Sequence, residues 1–171
     1  MNISEDNHDR LTQASAIQVG GAPADSKATL CIYADALDPD FVSETVARRP
    51  TSARRKGERD ARRPSIPPAT VGQWFLEAPD PLPFVEKIQF LLDATTDLEG
   101  NWRTLAESHR LELRTAIFLR SWTEGFELSS DVLAEIARRH WHFSLSMYSA
   151  DGDEIVESFL GPAIPRDPTR H

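Results

Sequence analysis

The chain has 171 residues, of which 40% are hydrophobic and 27% are charged, and its formal net charge is −8. This length and composition are those of one soluble domain with its own core. The single cysteine excludes an internal disulfide, and no apolar stretch is long enough for a membrane helix. The first residues are acidic and polar, so we expect no secretory signal and predict a cytoplasmic, bacterial-type protein.

The charge is unevenly distributed along the chain. Residues 48–63 contain eight of the 19 basic residues and two acidic ones, a net charge of +6. The other residues are strongly acidic, with 11 basic and 25 acidic side chains. The basic segment therefore has two interpretations: it docks on the acidic surface of its own chain, or it binds an anionic partner.

The first quarter of the chain predicts a tail, a strand and a helix. Residues 1–26 lack periodicity and are expected to form a disordered tail. Residues 28–35 form a strand that is apolar on both faces, with Cys31 as a small buried hydrophobe. Asp38 can cap a helix, and Pro39 suits its first position. This helix should end near Arg48 and turn Phe41 toward the core.

The next segment predicts a long loop between two strands, followed by helices. Residues 51–57 are expected to be a short strand, and 58–71 a loop rich in Arg and Pro. A strand at 72–78 turns Trp74 inward, and an apolar stripe predicts a helix at 84–95. Residues 97–109 should be partly helical, with a break at Gly100 and with Trp102 and Leu105 as inward anchors.

The last third predicts a strand, a helix and a strand. Apolar residues alternate with Glu112 and Arg114 along a strand at 111–120. Ser129 or Ser130 caps a helix that should bury Val132, Leu133, Ile136 and Ala137. A strand at 142–149 follows, then a turn at 151–153, an edge strand at 154–159 and a tail at 161–171. The fully buried core is expected to include Trp74, Ile88, Leu92, Leu113, Ile117, Ile136 and Leu145.

The order of these elements predicts a single α+β domain over residues 27–160. Its first six elements give the βαββαβ order of a ferredoxin-like sandwich, which one further helix and strand extend. Helices that pack on a mixed or antiparallel sheet would bury the apolar stripes described above.

Several motifs identify a family resemblance over about residues 28–150. They are Pro50-Thr51, Arg55-Lys56-Gly57 and Gly72-Gln73-Trp74, together with the segment SSDVLAEIARRHWHFSLSMY. In these motifs the chain resembles domain-of-unknown-function family 4279. The resemblance implies an α+β fold and no assigned biochemical activity. Some bacterial families of this size and charge are immunity proteins that neutralise toxins, which is an analogy at the level of fold.

The sequence contains no motif that specifies catalysis or a cofactor. Both glycine-rich phosphate-binding signatures are absent. His140 and His142 could share one strand face, but no third metal ligand is evident, and His140 suits the end of the preceding helix. The sequence also lacks the Gly-x-Ser-x-Gly motif of a serine nucleophile. We therefore predict no enzyme, no metal and no cofactor.

The basic segment supplies the candidate binding residues, which are Arg54, Arg55, Lys56, Arg59, Arg62 and Arg63. Arginine and lysine bind carboxylates and phosphates. Nucleic-acid sites usually add stacking aromatic side chains, and the segment contains none. We therefore predict an interaction domain for an acidic protein surface, with a toxin-immunity role as one form of it. The alternative is an anion- or nucleic-acid-binding module that uses residues 48–63, and an enzyme of unknown class comes third.

Overall fold

The computed structural model describes residues 21–23, 25–61, 64–120 and 124–149. Of the predicted segments, most of the N-terminal tail, the turn at 151–153, the edge strand at 154–159 and the C-terminal tail lie outside these residues. The described elements are β1 Asp25–Ala34, α1 Pro39–Val46, β2 Ser52–Arg54, β3 Gly72–Glu77, α2 Phe84–Asp93, α3 Glu99–Ala106, β4 Arg110–Leu119, α4 Ser130–Arg138 and β5 His142–Ser149.

The five strands form one mixed sheet in the order β2-β3-β1-β4-β5. Neighbouring strands are antiparallel, except that β5 runs parallel to β4 at one edge. The predicted single-domain α+β fold is confirmed. The connection between β3 and β4 contains two helices where the predicted βαββαβ order has one, and the ferredoxin-like assignment stays a prediction.

The four described helices pack on one face of the sheet, and none of them lies on the other face. Alternate strand residues such as Leu30, Trp74 and Leu113 are fully buried, and they share one apolar cluster with Ile88 and Trp102 of the helices. The intervening side chains point the opposite way, because successive strand residues alternate between faces. We call this second side the open face; its central residues are Thr29, Cys31, Tyr33, Ser52, Arg54, Gln73, Phe75, Glu77, Arg110, Glu112 and Arg114.

The local signals around α1 behave as the sequence predicts, with one exception. The side chain of Asp38 accepts a hydrogen bond from the backbone N–H of Asp40, and Pro39 opens the helix. The helix ends at Val46, before a left-handed residue, Ala47. The inward orientation predicted for Phe41 is wrong, because that ring is 46% exposed.

Three further expectations are corrected by the structure. Gly100 does not break a helix but lies in the first turn of α3, where a glycine costs less than it does further inside. On α4, Leu133 and Ala137 are exposed and Ile136 is the fully buried residue, because this short helix rests on the sheet along one narrow stripe. Leu145 is only partly buried, since β5 lies at the edge of the described sheet.

The long loop is the tip of the hairpin that joins β2 to β3. Strand pairing of β2 stops at Arg54, earlier than predicted, but the two arms meet again where Gly57 and Ala69 are hydrogen-bonded. Gly57 has a φ of 82°, a left-handed conformation that suits glycine. The arginine-rich segment therefore begins on the sheet and continues into this hairpin tip.

Candidate binding site on the open face

Two cations of the predicted basic segment dock on acidic residues of the same chain. Arg55 reaches Asp38 and lies 3.8 Å from a carboxylate oxygen of Asp40, while Lys56 lies 3.0 Å from Asp35. All these side chains are more than half exposed. Such exposed pairs contribute about 0–1 kcal/mol each, so they hold the segment only weakly. Arg62 and Arg63 lie outside the described residues.

The other two described candidate binding residues, Arg54 and Arg59, line a groove of about 480 Å³ over β2 and β3. Arg54 donates through Nε and Nη2 to the side-chain carbonyl of Gln73, and its buried Nη1 has no partner among the described residues. The groove is also lined by Glu58, Asp60 and Glu77. Its three carboxylates outnumber its two guanidinium groups, so the groove does not favour an anion.

A second cavity of about 560 Å³ lies over the centre of the open face. It is lined by Tyr33, Val71, Arg110, Glu112 and Arg114. The register explains this grouping, because Tyr33 of β1 lies opposite Arg110 and the three charged residues of β4 are two positions apart. We call it the β1/β4 cavity.

Glu112 is the centre of the charged cluster in the β1/β4 cavity. Its carboxylate lies 3.2 Å from Nη2 of Arg110 and 3.8 Å from Nε of Arg114, and its side chain is only 9% exposed. Alternation predicts that Glu112 faces away from the core, which it does, but the flanking arginines cover it. A nearly buried carboxylate needs such partners, and one carboxylate between two cations leaves this cluster with a charge of +1.

Tyr33 orients one of these arginines. Arg114 donates from Nη2 to the phenol oxygen of Tyr33, and its guanidinium carbon lies 5.9 Å from the ring centroid. The edge of the ring packs against Phe75 at a centroid distance of 5.7 Å. Burial raises the pKa of Tyr33 to about 12, so at neutral pH its hydroxyl keeps its proton. The cavity therefore offers guanidinium donors and a neutral phenol.

A third cavity, of about 800 Å³, lies between α2 and α4 and has the opposite charge balance. Arg138 and Arg139 contribute to its lining, which also contains the four carboxylates of Asp93, Asp97, Asp131 and Glu135. Of these three cavities, the β1/β4 cavity is thus the one with a positive balance among its described lining residues.

Cys31 and Ser108 are two described residues with nucleophilic side chains. Cys31 is fully buried, as predicted, and burial raises the pKa of its thiol, whereas the reactive form is the thiolate. Ser108 lies 3.0 Å from Nδ1 of His109, but that nitrogen also lies 3.2 Å from the carbonyl oxygen of Leu105.

The histidines considered as metal ligands are separated by the structure. His140 follows α4 in a left-handed conformation, with a φ of 56°, while His142 begins β5. Within the described part of the chain, no three His, Cys, Asp or Glu side chains are grouped so that they could hold a metal ion. Among the same residues, no helix is both long and apolar enough to cross a membrane.

A family model described as domain of unknown function (DUF4279) matches residues 24–150. The chain belongs to this family. The predicted resemblance is therefore confirmed, and the match includes every strand and helix described above. No curated protein and no solved structure matches the chain.

The residues that line the β1/β4 cavity differ from the candidate binding residues that the sequence selects. The sequence places the candidate binding residues in the basic run at 54–63. The cavity is instead lined by Tyr33 of β1 and by Arg110, Glu112 and Arg114 of β4. The only local signal for them is the alternation of charged residues along β4, which is equally typical of a solvated strand face. Their partner across the sheet, Tyr33, is 77 residues away from Arg110 in sequence.

Proposed function

We propose that this DUF4279 chain is a non-enzymatic interaction domain of the bacterial cytoplasm that binds an acidic surface of a partner protein through its open face. The observation that carries the proposal is the positive cluster at the centre of that face, in a chain with a net charge of −8. Neutralisation of a toxin by an immunity protein is one form that such an interaction takes.

The residue types on the open face support a protein partner. Arginine, tyrosine and tryptophan dominate the residues that contribute most to protein–protein binding, usually where they are already held in place. Arg114 is held by Tyr33 and Glu112, so it loses less conformational entropy on binding than a free surface arginine. Opposite charge on the partner would also speed the encounter of the two proteins.

Single-stranded nucleic acid is the second candidate, and one observation favours it. Phe118 and Tyr148 stack at a centroid distance of 5.1 Å on the same face as Tyr33, so aromatic rings accompany the arginines. Bases stack on such rings in sheet-based nucleic-acid sites. A protein partner is favoured because Glu58, Asp60 and Glu77 line the same face and would repel a row of phosphates.

The proposal is tested by affinity capture from the native host with the full chain as bait. Quantitative mass spectrometry compares wild type with the variant that combines Arg54→Ser, Arg110→Ser and Arg114→Ser. The expected result is an acidic protein that wild type enriches and the triple variant does not. Its enrichment should fall as salt rises, because exposed charges are screened over about 10 Å at 0.1 M ionic strength.

The matched control is Arg103→Ser on α3, which removes an exposed arginine from the helical layer. This variant should enrich the same protein as wild type. Equal enrichment by wild type and the triple variant would contradict the proposal. Enrichment that disappears after nuclease treatment would favour the nucleic-acid candidate instead.

A further inference from the structure

We infer that the β1/β4 cavity binds a single carboxylate group, presented by an acidic segment of the partner, between Arg110 and Arg114. This inference rests on the proposed function and names the group that the centre of the open face recognises.

Within the described part of the chain, the arginines of the cavity use only some of their N–H donors. Each guanidinium group carries five N–H donors in a planar fork that matches a carboxylate. Among the described residues, their contacts involve three nitrogen atoms: Nη2 of Arg110 and Nε of Arg114 toward Glu112, and Nη2 of Arg114 toward Tyr33. The side chains of Arg110 and Arg114 are 67% and 50% exposed, so a ligand can reach them.

The remaining walls of the cavity restrict how a ligand binds. Glu112 ties both guanidinium groups to one point of β4, which limits their rotamers before a ligand arrives. Tyr33 adds a phenol ring whose oxygen accepts a hydrogen bond from Arg114. Val71 gives an apolar wall. A volume of about 560 Å³ suits one side chain or one chain terminus and the residues beside it.

The charge balance selects a carboxylate over a phosphate. With a charge of +1 on Arg110, Glu112 and Arg114 together, one carboxylate brings the cluster to zero. A phosphate monoester carries about −1.5 to −2 at pH 7, which would leave excess negative charge beside the nearly buried Glu112. The other two charged cavities do not compete for an anion, because carboxylates outnumber arginines in both.

The test is an NMR titration of the full chain with short peptides of defined chemistry. Acetyl-Gly-Gly-Glu-Gly-Gly-amide presents a side-chain carboxylate, acetyl-Gly-Gly-Gly-Gly with a free C-terminus presents a terminal one, and the glutamine analogue of the first peptide presents none. Inorganic phosphate is the fourth probe. We expect one or both carboxylate peptides to shift the signals of Tyr33, Arg110 and Arg114, with at least about tenfold weaker binding of the glutamine peptide and of phosphate. The stronger of the two carboxylate peptides identifies the source of the group.

Variants locate the binding on the protein. The combination of Arg110→Gln and Arg114→Gln should abolish the shifts, whereas Arg103→Gln on α3 should leave them unchanged. Tyr33→Phe keeps both guanidinium groups and should weaken binding only a fewfold. The comparison of peptides on wild type remains decisive if the double variant fails to fold.

The inference is overturned if the glutamine peptide or phosphate binds as well as the carboxylate peptides. It is also overturned if the shifts lie elsewhere on the protein or persist in a folded double variant. Failure here and failure of the proposed function are distinguishable. Capture of an acidic protein without any peptide binding would refute the carboxylate site alone, and peptide binding without a captured partner would refute the proposed function alone.

Discussion

Leu113→Ala tests the sheet at its centre. Leu113 has no exposed surface and lies on β4 between Leu30 of β1 and Phe143 of β5. The substitution removes three carbon groups, each of which contributes about 0.8 kcal/mol when buried, so transfer alone costs about 2.4 kcal/mol. The cavity that remains between two paired strands adds to this cost, and we expect a total loss of about 2–5 kcal/mol in the free energy of unfolding.

Urea denaturation followed by tryptophan fluorescence measures this loss, because Trp74 and Trp102 are fully buried. With a slope of about 2 kcal/mol per molar urea, the midpoint should fall by about 1–2.5 M. Leu133→Ala is the matched control: this leucine of α4 is 48% exposed, so the same chemical change should cost about half the transfer term or less. Equal shifts for the two variants would refute the assignment of β4 as a central strand.

Three further predictions concern single positions. Gly72→Ala should lower the free energy of unfolding by about 1–3 kcal/mol, because the Cβ of the new alanine would lie 2.5 Å from Cβ of Leu37. An unchanged midpoint in urea denaturation would contradict this packing. Because Ser129 caps α4, Ser129→Ala should lower the free energy of unfolding by about 0.5–2 kcal/mol and Ser129→Gly by only a few tenths. Equal losses for the two variants would argue against the cap. Hydrogen bonds, the larger effect from Lys27 and the smaller from Lys87, lower the pKa of Asp80 from 3.8 to about 2. The ionised carboxylate therefore stabilises the fold fully above pH 4, and this stabilisation is lost as the pH falls toward 2. The advantage of wild type over Asp80→Asn in the urea midpoint should therefore shrink between pH 4 and pH 2, and a constant advantage would contradict the ion pair.

Local signals in the sequence predict most of the elements. Alternation locates β3, β4 and β5, because a strand with one face on the core must repeat every two residues. The Asp38-Pro39 pair and Ser129 locate two helix starts, since each supplies what an unpaired helix end lacks. These signals act over a few residues, and the structure confirms them.

Burial and the site depend on residues far apart in the chain, which local patterns do not report. Alternation assigns Leu145 and Phe143 to a face of β5 but does not show that an edge strand is covered less than a central one. It likewise assigns Glu112 to the outer face without showing that two arginines cover it. Lys56 pairs with Asp35, which lies 21 positions earlier in the chain. The sequence pattern does not show this pairing, so it does not show that part of the charge of the basic segment is neutralised.

The described cations of the basic segment and of the β1/β4 cavity include two classes that would act differently on an acidic partner. Arg55 and Lys56 form exposed pairs of about 0–1 kcal/mol, so a partner carboxylate can replace Asp38 or Asp35 at little net cost. Arg110 and Arg114 instead pair with Glu112, a nearly buried carboxylate, and Arg114 also donates to Tyr33. Under the proposed function, the first class forms a rim that governs the association rate and its salt dependence, and the second forms a centre that governs dissociation. Docking of the basic segment on its own chain is therefore compatible with a role in binding, since a weak internal pair is readily exchanged for an external one.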